Sequence, residues 1–112
     1  MKDLTGVFAG LREVLLEAGA SLTPSADDST QVTLNYNGEF FAGVKLGKNY
    51  VSYYLMPLYY HTKLREHVSS ELGKRLKGKT CFNFTRLEQS HKQDLLTLTC
   101  TALEQPKGDA TS

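Results

Sequence analysis

Residues 31–55 read QVTLNYNGEFFAGVKLGKNYVSYYL, and the reading of this stretch decides the fold. Apolar and polar side chains alternate through it, the period of a strand with one buried face. Val32, Leu34 and Tyr36 share one side of residues 31–36. Phe40, Ala42, Val44 and Leu46 share one side of 39–46, and Val51, Tyr53 and Leu55 one side of 49–55. Asn37-Gly38 and Gly47-Lys48 separate the three runs and carry the residue types of tight hairpin turns. The pattern predicts a three-stranded antiparallel meander.

The register follows by counting. A two-residue turn at Gly47-Lys48 sets Leu46 opposite Asn49, Val44 opposite Val51, Ala42 opposite Tyr53 and Phe40 opposite Leu55. The apolar residues then share a face, as a core requires. The same turn at Asn37-Gly38 sets Leu34 opposite Phe41, which has the wrong parity. A three-residue loop with Gly38 left-handed in a bulge restores the match, so a bulged hairpin is expected there.

Outward from the meander, both flanks read as helical. Leu4, Val7, Phe8, Leu11, Val14, Leu15 and Ala18 form an apolar stripe over residues 3–18. Asp3 or Thr5 is positioned to cap the start and Gly19 the end. Residues 20–30 are small and polar and read as a loop. Pro57 ends the third strand. Residues 58–76 carry Leu64, Val68, Leu72 and Leu76 at four-residue spacing, interrupted by Ser69-Ser70 and Gly73, which predicts two short helices. Residues 80–85 (TCFNFT) alternate as a fourth strand. A last helix over 91–104 opens on a Ser90/Gln93 capping box and turns Leu95, Leu96, Leu98, Ala102 and Leu103 inward. The order is helix, meander, interrupted helical connection, strand, helix: an α+β domain over 1–105 with a tail at 106–112.

The composition suits a packed domain. The chain has 112 residues, 40% of them hydrophobic and 22% charged, enough for a core and too apolar for wholesale disorder. No apolar run approaches the ~20 residues of a membrane span. The N-terminus is interrupted by Arg12 and Glu13 and does not read as a signal peptide, so a cytoplasmic location is expected. Cys81 and Cys100 are then expected to be small buried hydrophobes and not a disulfide. Charge is uneven: residues 1–44 hold two basic and six acidic side chains (−4), residues 45–112 eleven and six (+5). Lys74, Arg75, Lys77, Lys79 and Arg86 meet no acid within 74–86. That segment is either a solvated surface or an anion-binding edge. Nucleic acid is not expected as the partner, because the overall charge is close to neutral.

No constellation commits the chain to a reaction. There is no GxSxG and no identifiable Cys-His pair. His61, His67 and His91 form no metal-binding spacing. Gly73–Thr80 satisfies the bare GxxxxGK[ST] pattern, but it follows a helix and opens a strand, the reverse of a phosphate loop. The expectation is a non-enzymatic binding or carrier domain, monomeric or homodimeric, for a small molecule or protein. Its predicted site is the sheet face away from Val44 and Val51. There the counted register places Phe41 opposite Tyr54, Lys45 opposite Tyr50 and Gly43 opposite Ser52; Lys77 and Lys79, from the basic segment, are further candidate ligand-binding residues. Either this face is a groove with aromatic walls, or the helices of 61–76 lie over it as a second core layer.

The segment from Tyr50 to Arg86 resembles the YdhG-like family of small bacterial proteins of unknown function. The resemblance rests on Tyr54-Leu55-Met56-Pro57, Leu76-Lys77-Gly78-Lys79 and Thr80-Cys81-Phe82-Asn83-Phe84, and it spans about residues 36–103 in the same order of elements. It implies a frataxin-like layout. Because some members are described as intracellular iron chaperones, it also implies iron as a possible cargo. Asp27, Asp28 and nearby acids would then be the carboxylates to test, and no iron ligand transfers residue by residue.

Overall fold

The alternation of residues 31–55 becomes the middle of an antiparallel sheet. The computed structural model describes residues 4–20, 22–36, 39–60, 62–77 and 80–104. Its strands are β1 (Thr23–Asp27), β2 (Gln31–Tyr36), β3 (Glu39–Leu46), β4 (Val51–Leu55), β5 (Leu76–Lys77) and β6 (Cys81–Phe84). They lie side by side in the order β1-β2-β3-β4-β6-β5. The helices are α1 (Thr5–Ala18), α2 (Pro57–Tyr60), α3 (Ser70–Gly73) and α4 (Gln89–Glu104), with a 3₁₀ helix at Thr62–His67. The class is α+β, as the sequence pattern predicts. Among the described residues no helix is long and apolar enough to cross a membrane. The tail expected at 106–112 lies outside the described residues.

One sheet face carries the core. Phe8, Leu11, Val14 and Leu15 of α1 are buried, the helix packing against β3, β4 and α4, and Leu4 just before it is buried too. Leu95, Leu98 and Ala102 of α4 are buried beside them. Gly19 ends α1, but at φ −103° and not in the left-handed region. A Cβ there would lie 2.5 Å from Leu34 Cδ1, so the leucine side chain would have to shift to admit one. Leu4 occupies the N-cap without a side-chain cap hydrogen bond, Thr5 is the first helical residue, and Asp3 lies outside the described residues. At α4 the helix opens two residues before the expected start. Its cap is His91, whose Nδ1 accepts the Glu88 backbone N–H at 3.2 Å, while Lys92 N–H donates to the Glu88 carbonyl. His91 thus plays the part of the Glu or Gln of a capping box, in place of the Ser90/Gln93 pair.

Several expectations are corrected. Residues 23–27 form an edge strand and not a loop; its pairing to β2 is made by backbone groups, and Pro24 is tolerated because an edge need not donate outward. Asp28 closes the turn into β2. Its Oδ1 accepts from the Thr30 N–H and hydroxyl and from the Gln31 N–H. These bonds, the Thr30 hydroxyl foremost, hold its carboxyl below the usual carboxylate range. Leu76 and Lys77 leave the helical register and pair with Phe82 and Cys81 as β5. The connection expected as two helices is three short pieces. Ser69 caps α3 by accepting the Leu72 N–H, and its hydroxyl donates to Asp94 of α4.

Both hairpins differ from the counted register. Between β3 and β4 the pairs are Leu46 with Val51, Val44 with Tyr53 and Ala42 with Leu55. The turn therefore spans Gly47–Tyr50, closed by Gly47 N–H on the Tyr50 carbonyl, and the pairing is displaced by two residues. A displacement of two keeps every side chain on its face. Between β2 and β3, Tyr36 pairs with Glu39 and Asn35 with Phe40, then the register shifts and Leu34 meets Ala42. A bulge exists, but it falls at Phe41 within the strand. The expected left-handed Gly38 lies outside the described residues.

Candidate functional site

The bulge at Phe41 rearranges the face the sequence singled out. One extra residue reverses the alternation on the turn side of the bulge. Phe41 is therefore only 4% exposed and packs in the core, its ring tilted 6.2 Å from Tyr36. Phe40 takes the opposite face at 38% exposure, its ring edge-on to Tyr54 at 6.5 Å. Phe41, expected on the open face, lies in the core instead, and Phe40 takes its place on that face. A conflict was visible in the sequence: the turn chemistry at Asn37-Gly38 and the strand alternation demand opposite parity. Only the Phe40-Phe41 doublet offers an apolar residue to both faces at the point of reversal.

The face away from the helices can be read row by row from the pairings. One row crosses the sheet as Ala26, Thr33, Gly43, Tyr54, Cys81 and Lys77; the next runs Gln31, Lys45, Ser52 and Asn83. Lys45 thus lies opposite Ser52, and Gly43 opposite Tyr54, correcting the counted partners. Among the described residues the helical connection packs away from this face. Its 3₁₀ helix and α3 pack against α4, and Leu58, Leu64 and Leu72 join the core.

Two hollows result, and they share Lys45 and Tyr54. The first, about 290 Å³, is walled by Phe40, Gly43 and Tyr54, with Gln31 and Thr33 along β2. Gly43 is required there: a Cβ would lie 2.9 Å from the Val32 carbonyl and 3.2 Å from the Phe40 ring, so the missing side chain lets that ring lie against the backbone. The second, about 310 Å³, is bounded by the Gly47–Tyr50 turn, with Lys48, Asn49, Tyr50 and Ser52. Among the described residues no acid lines either hollow. Tyr50 is exposed, as the groove requires.

The polar groups are ordered from beneath. The Ser52 hydroxyl donates to Asn83 Oδ1 at 2.9 Å, and Cys81 Sγ donates to the same oxygen at 3.2 Å. Burial pushes the Cys81 thiol up from its ordinary pKa, opposed by hydrogen bonds with Ser52 and Tyr54. Cys81 is half-buried, but Cys100 is exposed on α4, against the expectation that both are core residues; both are free thiols.

The remaining candidates separate. Lys77 shares the open face, opposite Cys81, but lines neither hollow. Lys79 lies outside the described residues. In the basic 74–86 segment folding brings acids to two of the cations: Lys74 Nζ lies 3.3 Å from Glu71 and Arg86 3.5 Å from Glu88. Lys45, Lys48 and Lys77 have no carboxylate partner among the described residues. Three of the acids in the N-terminal part of the chain have partners. Asp27 receives a bidentate Arg12 at 3.0 and 2.9 Å, Asp28 closes its turn, and Glu13 faces Lys92. Among the described residues no three His, Cys, Asp or Glu side chains gather as a metal site. Gly73–Thr80 joins α3 to β6 by way of β5, the wrong context for a phosphate loop. Lys48, Gln31 and Thr33 are lining residues that sequence reasoning did not select, since turn length and neighbouring-strand register decide their places. No protein-family model, curated protein or solved structure matches this chain.

Proposed function

We propose that the chain is a non-enzymatic binding domain that takes up a small anionic molecule on its open sheet face. The observation that carries this reading is Lys45: among the described residues this ammonium has no carboxylate partner, and no acid lines either of the two hollows it borders. A cation so placed attracts anions. Tyr54 and Phe40 add apolar area and ring edges beside it. Hollows near 300 Å³ match the lower end of small-ligand sites.

The test is amide NMR of ¹⁵N-labelled protein against a panel of aryl carboxylates and aryl phosphates. Shifts should concentrate in residues 40–54 and disappear in Lys45→Gln/Tyr54→Ala while the dispersion of the spectrum is kept. Shifts that settle on α1, α4 or the 74–86 segment instead would remove the reading.

A further inference from the structure

The two hollows differ in chemistry although they share a wall. The first is bounded by two rings and by the bare backbone of Gly43. The second holds two lysines, the Asn49 amide and the Ser52 hydroxyl. Lys45 borders both, so a ligand seated in the first hollow presents its substituents to the second across that ammonium. The Ser52 hydroxyl is already aimed at Asn83, which leaves its oxygen as an acceptor. Lys45 and Lys48 are therefore the strong anion donors.

We infer that the hollows form one bipartite site for a planar ring bearing a single anionic group. The ring lies in the first hollow against Phe40 and Tyr54, and a phosphate or carboxylate lies in the second on Lys45 and Lys48. This rests on the binding reading above and names its ligand class. The charge pattern argues against a second copy of the chain on this face: a two-fold contact would bring unpartnered lysines toward each other. Ring burial and ion pairing occur in the same molecule, so ordering is met once for two contacts, and the joined ligand binds more tightly than either part.

Calorimetry with 2-naphthyl phosphate, 2-naphthol and inorganic phosphate, paired with amide NMR of each titration, tests the inference. 2-Naphthyl phosphate should bind at least about tenfold more tightly than either fragment, the advantage of linkage. Lys48→Gln should weaken the phosphate ester and leave 2-naphthol unchanged. Phe40→Ala, at an exposed ring, should weaken both ring compounds and leave inorganic phosphate unchanged. Equal affinity for ester and fragments, with shifts still on residues 40–54, would overturn the bipartite site and leave the binding reading standing. No shift on this face from any probe at millimolar concentration would overturn both. An oligonucleotide binding more than about tenfold tighter than the ester would overturn the single-ring class, since chain length then supplies the affinity.

Discussion

The hydroxyl of Tyr53 lies 2.6 Å from Thr99 Oγ1, and both residues are fully buried. This contact ties the centre of the sheet to the middle of α4. Each hydroxyl is removed from water, so each depends on the other. Tyr53→Phe strands the Thr99 hydroxyl and should cost about 1–3 kcal/mol, and Thr99→Val about the same by stranding the phenol. The double variant should lose less than the sum. Urea unfolding of the four proteins measures this; additive losses would mean the two hydroxyls do not depend on each other.

The same phenol sets an alkaline limit. Burial raises the Tyr53 pKa above its ordinary value, against the Thr99 hydrogen bond that lowers it. In the unfolded chain a tyrosine ionises near pH ~10. Its contribution is fully present below that pH and is lost as pH rises toward the folded-state value. Stability should therefore fall more steeply above pH ~10 in the natural chain than in Tyr53→Phe. Equal slopes between pH ~9 and ~11 would contradict this assignment.

The core side of this arrangement was legible because burial is written in period two and period 3.6. The stripe of α1, the inward leucines of α4 and the aliphatic face of the sheet all follow from it. What escaped was whatever the pattern leaves degenerate. A register displaced by two residues preserves every facing, so hydrophobic alternation could not separate a two-residue turn at Gly47-Lys48 from the four-residue turn observed. β1 escaped because an edge strand is held by backbone pairing, and Pro24, Ser25 and Asp27 advertise a loop. Lys45 and Tyr54 lie on the open face because parity alone decides it; Phe41 lies in the core because one inserted residue reverses parity locally.

The two thiols should separate under alkylation. Cys100 is exposed, whereas Cys81 is half-buried, hydrogen-bonded to Asn83 and raised in pKa by burial. Thiolate is the reacting form, so Cys81 is slowed by both access and ionisation. Iodoacetamide at pH ~8 should label Cys100 at least about tenfold faster, as peptide mass spectrometry resolves. In the presence of a ligand on the open face Cys81 should slow further and Cys100 should not. A faster Cys81 would show that the thiol sits in a different environment.

Gly43 should resist even a methyl group. A Cβ would press on the Val32 carbonyl at 2.9 Å, and backbone cannot swing away as a side chain can. Gly43→Ala should cost about 1–3 kcal/mol by overpacking. Gly6 in α1 is the control, with nothing within 4 Å of its Cβ position. Gly6→Ala should be neutral or stabilise by up to about 1 kcal/mol, from helix propensity. Thermal melts of the two variants should move in opposite directions or differ by the full overpacking cost; equal melts would mean the β2–β3 backbones are not this close.

The adjacent phenylalanines give the sharpest test of the bulge. With the counted three-residue loop, Phe41 is the surface ring and Phe40 the core ring. With the bulge at Phe41 the roles exchange, as the 4% and 38% exposures record. Phe41→Ala then empties a core position and should cost about 3–5 kcal/mol. Phe40→Ala removes a ring that water already reaches and should cost under about 1 kcal/mol, in the range of ordinary surface changes. The two substitutions delete the same atoms from neighbouring positions of one strand, so composition and intrinsic propensity cancel in the comparison. Chemical denaturation in which Phe40→Ala is the more damaging change would place the strand one step out of phase. The open face would then carry Phe41, and the first hollow would lose the wall on which ring binding depends.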